Sequence, residues 1–256
     1  MKKIIIFLCA LMLCAPVYSV DNIVSAGVYV SQFQIMKKYK DISHNWRILN
    51  KMRDQASGLS KEEKAVIQKY VFGAVRGEDT YLLINCDMRN NLEKFIPKKE
   101  VTKPLKYRLD YYANQLSAPI SKTRLPQNII LYRGVDDKGI KLIFANLKID
   151  SYINKPVSEE NLKVIKPKLI GAKFEEKGFM STSYDINCAK QTKFIFEVNA
   201  PKNLQGILLE DMGKKAEKEV LINRNTKWEV TDVTIDQNRK TKQDFYRVKL
   251  RFIKKD

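Results

Sequence analysis

Histidine is almost missing from this sequence: His44 is the only one in 256 residues. A relay of two histidines and a histidine-based metal site are both excluded. Cysteine is scarce as well, with four in the chain and none in a Cys-x-x-Cys pair, so no structural zinc site is expected and no metal is assigned. Three common motifs are absent: Gly-x-Gly-x-x-Gly, Gly-x-x-x-x-Gly-Lys-Ser/Thr and Gly-x-Ser-x-Gly. Neither a Rossmann dehydrogenase nor a P-loop ATPase is supported, and there is no nucleophile elbow. No apolar run reaches the ~20 residues needed to cross a bilayer, so no membrane span is expected. Positive charge is abundant instead. Lys plus Arg number 47 against 29 Asp plus Glu, a formal net charge of +18, and 44% hydrophobic residues supply material for a packed core.

The chain starts with Met1-Lys2-Lys3, then an unbroken apolar run from Ile4 to Ala15, then Pro16-Val17-Tyr18-Ser19. This is the layout of a secretory signal cleaved after Ser19. Residues 1–19 are read as the signal peptide and 20–256 as a single domain of a secreted protein. Cleavage takes away Lys2, Lys3, Cys9 and Cys14. Cys86 and Cys188 remain, either as one disulfide or as two free thiols.

The first half of the mature chain has helical patterning. Ser60 followed by Glu63 forms a capping box ahead of Val66, Ile67 and Tyr70. A second helix is expected over 79–93, closed by Pro97, and a third over 105–116, stopped by Pro119. The second half has strand patterning at 128–133, 193–198, 206–209, 219–222, 227–230 and 245–250. Helices first and strands later argue for an α+β fold rather than alternating βαβ units. Trp46, Trp228 and Phe194 are expected to pack in the core, and His44 to be structural or on the surface.

Three segments carry chemistry. Arg133 follows an apolar strand, where a guanidinium can grip phosphate bidentately; alone it is an ordinary surface arginine. In Lys177-Gly178-Phe179-Met180-Ser181-Thr182-Ser183, alternation puts Ser181 and Ser183 on one face and Thr182 on the other. Alone, this is an edge strand with common polar residues. Glu217-Lys218-Glu219 runs straight into Val220-Leu221-Ile222, and strand alternation would aim both carboxylates at one site. Alone, it is a solvated charged turn.

In this order, Arg133, then Ser181-Thr182-Ser183, then Glu217-x-Glu219 before an apolar strand, the segments resemble the signature of bacterial mono-ADP-ribosyltransferase toxins. The branch resembled holds single-domain Rho-modifying exoenzymes and the enzymatic subunits of actin-modifying binary toxins. Tyr70, the stretch Tyr81 to Arg89, Gly206 to Leu209 and Asn223 to Trp228 are also similar to family segments, over roughly residues 55–235. The resemblance implies an ADP-ribosyltransferase-like fold, with N-terminal helices packed on a two-sheet mixed β core. It implies NAD as cosubstrate. Glu219 would be the catalytic glutamate and Ser181 would orient it. Arg133, Gly134, Asn85 and Arg89 would bind NAD. Glu217 would direct transfer to an arginine side chain, with NAD hydrolysis as a side activity. The implied partner is a host protein such as actin or a small GTPase, and a monomer is expected. Lys190 or Lys193 would be the phosphate cation after Ser183. The loop from Glu210 to Ala216 lacks the aromatic residue that family members often carry there.

The charge of +18 also admits a secreted basic protein that binds nucleic acid or an anionic surface without catalysis. Against this, the basic residues are scattered and no platform of interleaved aromatics and arginines marks a specific nucleic-acid site.

Overall fold

Side-chain caps and apolar spacing set the first helices. The computed structural model describes residues 39–75, 78–213 and 215–254. The signal segment 1–19, with Cys9 and Cys14, lies outside them. Helix α1 (Trp46–Ser57) starts at Asn45, whose side chain accepts the Ile48 amide, and α2 (Lys61–Phe72) starts at Ser60. The capping box there is reciprocal. Ser60 Oγ accepts the Glu63 amide at 3.2 Å, and the Glu63 carboxylate accepts the Ser60 amide at 2.9 Å. A short hairpin, β1 (Ala74–Val75) and β2 (Glu78–Asp79), leads into α3 (Thr80–Met88). This helix ends well before Pro97, because Asn90 turns left-handed at φ 56. Helix α4 (Lys103–Lys122) is longer than expected. Pro119 does not stop it but lies buried in its last turns, at the cost of one backbone donor.

After β3 (Ile129–Val135) come three helices that sequence patterning left unassigned: α5 (Asp137–Ile143), α6 (Asp150–Ile153) and α7 (Glu159–Leu169). The order of helices first and strands later therefore holds only in part. The remaining strands are β4 (Lys173–Glu176), β5 (Met180–Ser183), β6 (Phe194–Ala200), β7 (Gly206–Leu208), β8 (Glu219–Ile222), β9 (Thr226–Gln237) and β10 (Asp244–Ile253). They run in the order β4-β9-β10-β6-β3-β5-β8-β7, antiparallel except for the parallel β6–β10 pair. The two halves expected as separate sheets are bonded into one mixed sheet through a single residue pair between β3 and β5, Tyr132 with Ser183.

Alternation buries both faces of the short half. On β8, Val220 and Ile222 join the larger core with α1 and the helices α5 to α7. Leu221 faces the other way, into the core that α2, α3 and α4 build with Phe179 and Ile207. The N-terminal helices thus pack on the half of the sheet that carries the Ser-Thr-Ser and Glu-x-Glu segments. Trp228 and Phe194 are fully buried, as expected. Trp46 is not a packing residue: it is 71% exposed, with the Arg53 guanidinium 5.4 Å from its ring centre. His44 is exposed. Residues Lys40–Asp256 form one compact unit.

Leu116 on α4 is fully buried in the helix-side core. Leu116→Ala is expected to lower unfolding stability by about 3 kcal/mol, measured by denaturant titration.

Candidate active site

The cleft opens where the sheet comes apart. Beyond the Tyr132–Ser183 pair, continued register would set Gly134 against Ser181, but the strands separate there. A cavity of about 570 Å³ fills the gap, and all seven residues singled out in the sequence line it: Asn85, Arg89, Arg133, Gly134, Ser181, Glu217 and Glu219.

Arg133 and Gly134 lie within β3 rather than after it. Gly134 has to be glycine, because a Cβ there would sit 1.8 Å from the Lys190 carbonyl oxygen. The chain following β5 therefore passes directly over this strand. Burial lowers the Arg133 pKa below its ordinary value. Arg89 is held above its own, because the Glu176 carboxylate more than offsets the effect of burial.

The two carboxylates do not reach the cleft as alternate residues of one strand. Glu217 is exposed at the end of a 3-10 turn, and Lys218 adopts a left-handed φ of 48° before β8 begins at Glu219. The kink brings both side chains to one cleft from different backbone settings. Lys218 bonds Asp185 at 2.8 Å, which anchors the kink. Both carboxylates help raise the pKa of Tyr81, whose main cause is burial, so their charge is felt on the α3 wall.

Register pairs Glu219 with Ser183, not with Ser181. The Ser183 hydroxyl is occupied at its own turn, accepting the Asp185 amide at 3.2 Å and donating to the Lys218 carbonyl at 3.4 Å. Ser181 is the exposed hydroxyl on the same face, diagonal to Glu219. Asn85 is buried and committed inside the protein. Its Oδ1 accepts the Phe179 amide at 2.7 Å and its Nδ2 donates to the Tyr70 hydroxyl at 2.8 Å. Gly178 is tied to it, since a Cβ there would lie 2.5 Å from Asn85 Oδ1. Asn85 therefore staples α3 to the turn that starts β5.

Of the two candidate cations after Ser183, Lys190 lines the cleft. Lys193 bonds Asp137 and the Ile153 carbonyl instead. Cys86 and Cys188 are both free thiols. Cys86 is buried, with its pKa pushed up to about 11 by burial, and Cys188 borders the cleft. Sequence reasoning missed Glu176, the carboxylate beneath both arginines. Its only signal was position, four residues before Met180 in an acidic pair that faced no assigned partner. It also missed how the loop before the Glu pair is rooted: Glu210 accepts from Arg53 at 2.8 Å and pairs with the Tyr184 hydroxyl.

A family model described as ADP-ribosyltransferase exoenzyme matches residues 36–249. The chain belongs to this family. It is 27% identical over 186 residues to the mono-ADP-ribosyltransferase C3 of Clostridium botulinum C phage, covering 71% of this chain and 68% of that protein. Its fold is similar to that of C3stau2 from S. aureus, solved with NAD, at TM-score 0.64 and 14% identity, covering 84% of this chain and all of that one. It is also similar to the enzymatic component C2-I of the C2-toxin from Clostridium botulinum, at TM-score 0.61 and 22% identity, over 82% of this chain and 48% of that one. As an exoenzyme of this family, the chain is a bacterial mono-ADP-ribosyltransferase toxin with helices packed on a mixed sheet.

Gly134→Ala is expected to destabilise the protein by about 2 kcal/mol or more, because the clash is with backbone rather than with a flexible side chain. Thermal unfolding of the two proteins side by side measures it.

Proposed function

We propose that this exoenzyme, secreted after loss of residues 1–19, cleaves NAD and transfers ADP-ribose to an arginine side chain of a host protein. NAD hydrolysis is the side activity when water takes the acceptor's place. The observation that carries this reading is the meeting of two carboxylates, Glu217 and Glu219, with two arginines, Arg89 and Arg133, on one cleft.

The cleft residues divide the work by charge and exposure. The guanidinium groups of Arg89 and Arg133 keep 29% and 20% of their side chains exposed, which leaves donor edges for a pyrophosphate. Gly134 lines the cleft, and its backbone would meet the flat amide of nicotinamide there. Glu219 is buried at the strand start, and a fixed carboxylate there stabilises positive charge developing on the ribose more than it stabilises the ground state. As the bond between ribose carbon and nicotinamide nitrogen breaks, its electron pair stays with nicotinamide. The acceptor guanidinium nitrogen then bonds to the ribose carbon and gives up one proton, which Glu217 takes. Glu217 is exposed at the rim, where an incoming guanidinium can pair with it before transfer. Ser181 stands on the same face as Glu219 and would orient its carboxylate. Asn85 acts on NAD mainly by holding the turn that sets Ser181.

The acceptor protein is of the actin or small GTPase kind that the resemblance implies. A basic binding protein without catalysis leaves the convergence of seven residues on one cleft unexplained.

Incubation with labelled NAD and host lysate tests the reading. Labelled protein is expected, modified at arginine by mass spectrometry. Glu219→Ala is expected to lower both transfer and NAD hydrolysis by about 10²-fold or more. Glu217→Gln is expected to keep hydrolysis and lose transfer. Absence of both labelling and hydrolysis in the wild-type protein would sink the proposal, and a modified asparagine would sink its arginine part.

A further inference from the structure

Behind the two cleft arginines stands a carboxylate to which the proposed chemistry gives no role. Glu176 ends β4, and its side chain is 5% exposed. Its Oε1 accepts Arg89 Nε at 2.8 Å and the Gly178 amide at 2.9 Å. Its Oε2 accepts Arg89 Nη2 at 2.9 Å and Arg133 Nη1 at 3.4 Å. One side chain thus joins α3, β3 and the turn that leads to Ser181. A bidentate pair fixes the plane of a guanidinium as well as its distance. Two arginines sharing one anion are held side by side, whereas without it their like charges would drive them apart toward water.

We infer that Glu176 is a positioning residue for NAD: it holds Arg89 and Arg133 in one arrangement, so that their free edges meet the pyrophosphate together. This rests on the NAD reading of the cleft. Charge alone gives the opposite sign, since removing an anion beside two phosphate-binding cations should tighten binding of a dianion. The two effects are therefore separable by experiment.

The experiment compares NAD hydrolysis kinetics and calorimetric NAD binding for the full chain and for Glu176→Gln, Arg89→Ala and their double variant. Glu176→Gln is expected to raise KM and Kd for NAD about tenfold while kcat stays within about threefold. In the Arg89→Ala background the same change is expected to cost less than about threefold, because the carboxylate acts through the arginine. Glu176→Asp keeps the charge but loses reach, so its KM is expected between the two, and it is the variant to read if the Gln protein does not fold. An unchanged or lower KM in Glu176→Gln overturns the inference. So does a wild-type KM in Glu176→Asp, or an undiminished loss in the Arg89→Ala background. If the wild-type chain neither binds nor hydrolyses NAD, the reading of the cleft falls and the positioning role falls with it. Normal NAD binding in the wild type and in the Glu176 variants alike defeats the positioning role alone.

Discussion

A carboxylate taken out of water must be compensated or it loses its charge, and Glu176 is a carboxylate almost wholly out of water. Four donors meet it: Nε and Nη2 of Arg89, Nη1 of Arg133 and the amide of Gly178. Breaking such a buried cluster by removing one member costs about 3–5 kcal/mol in general, because a charge is left without its partner. The arrangement is therefore close to all-or-none. It ties a helix from the N-terminal layer to a central strand and to the turn before β5, all of which border the cleft. Asn85 repeats the connection a short way along, from α3 to the Phe179 amide. The two contacts bring α3 against the sheet in one register, with Arg89 one helical turn from Asn85.

The cleft follows from joining two half-sheets through one residue pair. A continuous ladder between β3 and β5 would use the backbone groups around Gly134 and Ser181 for pairing and close the gap. Instead the pairing stops at Tyr132 and Ser183, and the chain after β5 returns over Gly134 so closely that no side chain fits. On another wall, the left-handed Lys218 interrupts the chain just before β8 and lets an exposed Glu217 and a buried Glu219 share one opening. Lys218 is not glycine, so this conformation carries a modest strain. Its bond to Asp185 lies on the turn that also occupies the Ser183 hydroxyl, which is how the strain is held in place.

The strand positions were legible because alternation and β-branched runs report directly on burial: 219–222 matches β8, and 193–198 starts one residue before β6 and ends two short of it. The α2 start was legible because a capping box is local chemistry. The helices between β3 and β4 were not, since α5 and α6 are short and α7 carries Pro167 inside it, which reads as a breaker. For the same reason α4 read as ending before Pro119. In the site, all seven singled-out residues were legible through a resemblance in order and spacing. What the sequence could not supply were long-range partners. Glu176 is 87 residues from Arg89 and 43 from Arg133, and nothing in either neighbourhood announces the other. The Glu217 and Glu219 pair was found by a local argument that was only half right, since Glu219 belongs to the strand whereas a turn and the left-handed Lys218 place Glu217.

The net charge of +18 also takes on a narrower meaning. Among the described cleft residues, Arg89, Arg133 and Lys190 face Glu217 and Glu219, with Glu176 behind. Three cations against three anions do not make a positive funnel. Charges elsewhere on the surface are screened beyond about 8–10 Å at physiological salt. On the proposed reading, recognition of an anionic dinucleotide in this cleft depends on direction more than on field: which edge of each guanidinium points outward, and how the backbone lies at Gly134. Glu176 contacts both guanidinium groups and the Lys190 carbonyl passes over Gly134, and neither contact depends on how many lysines the rest of the chain carries.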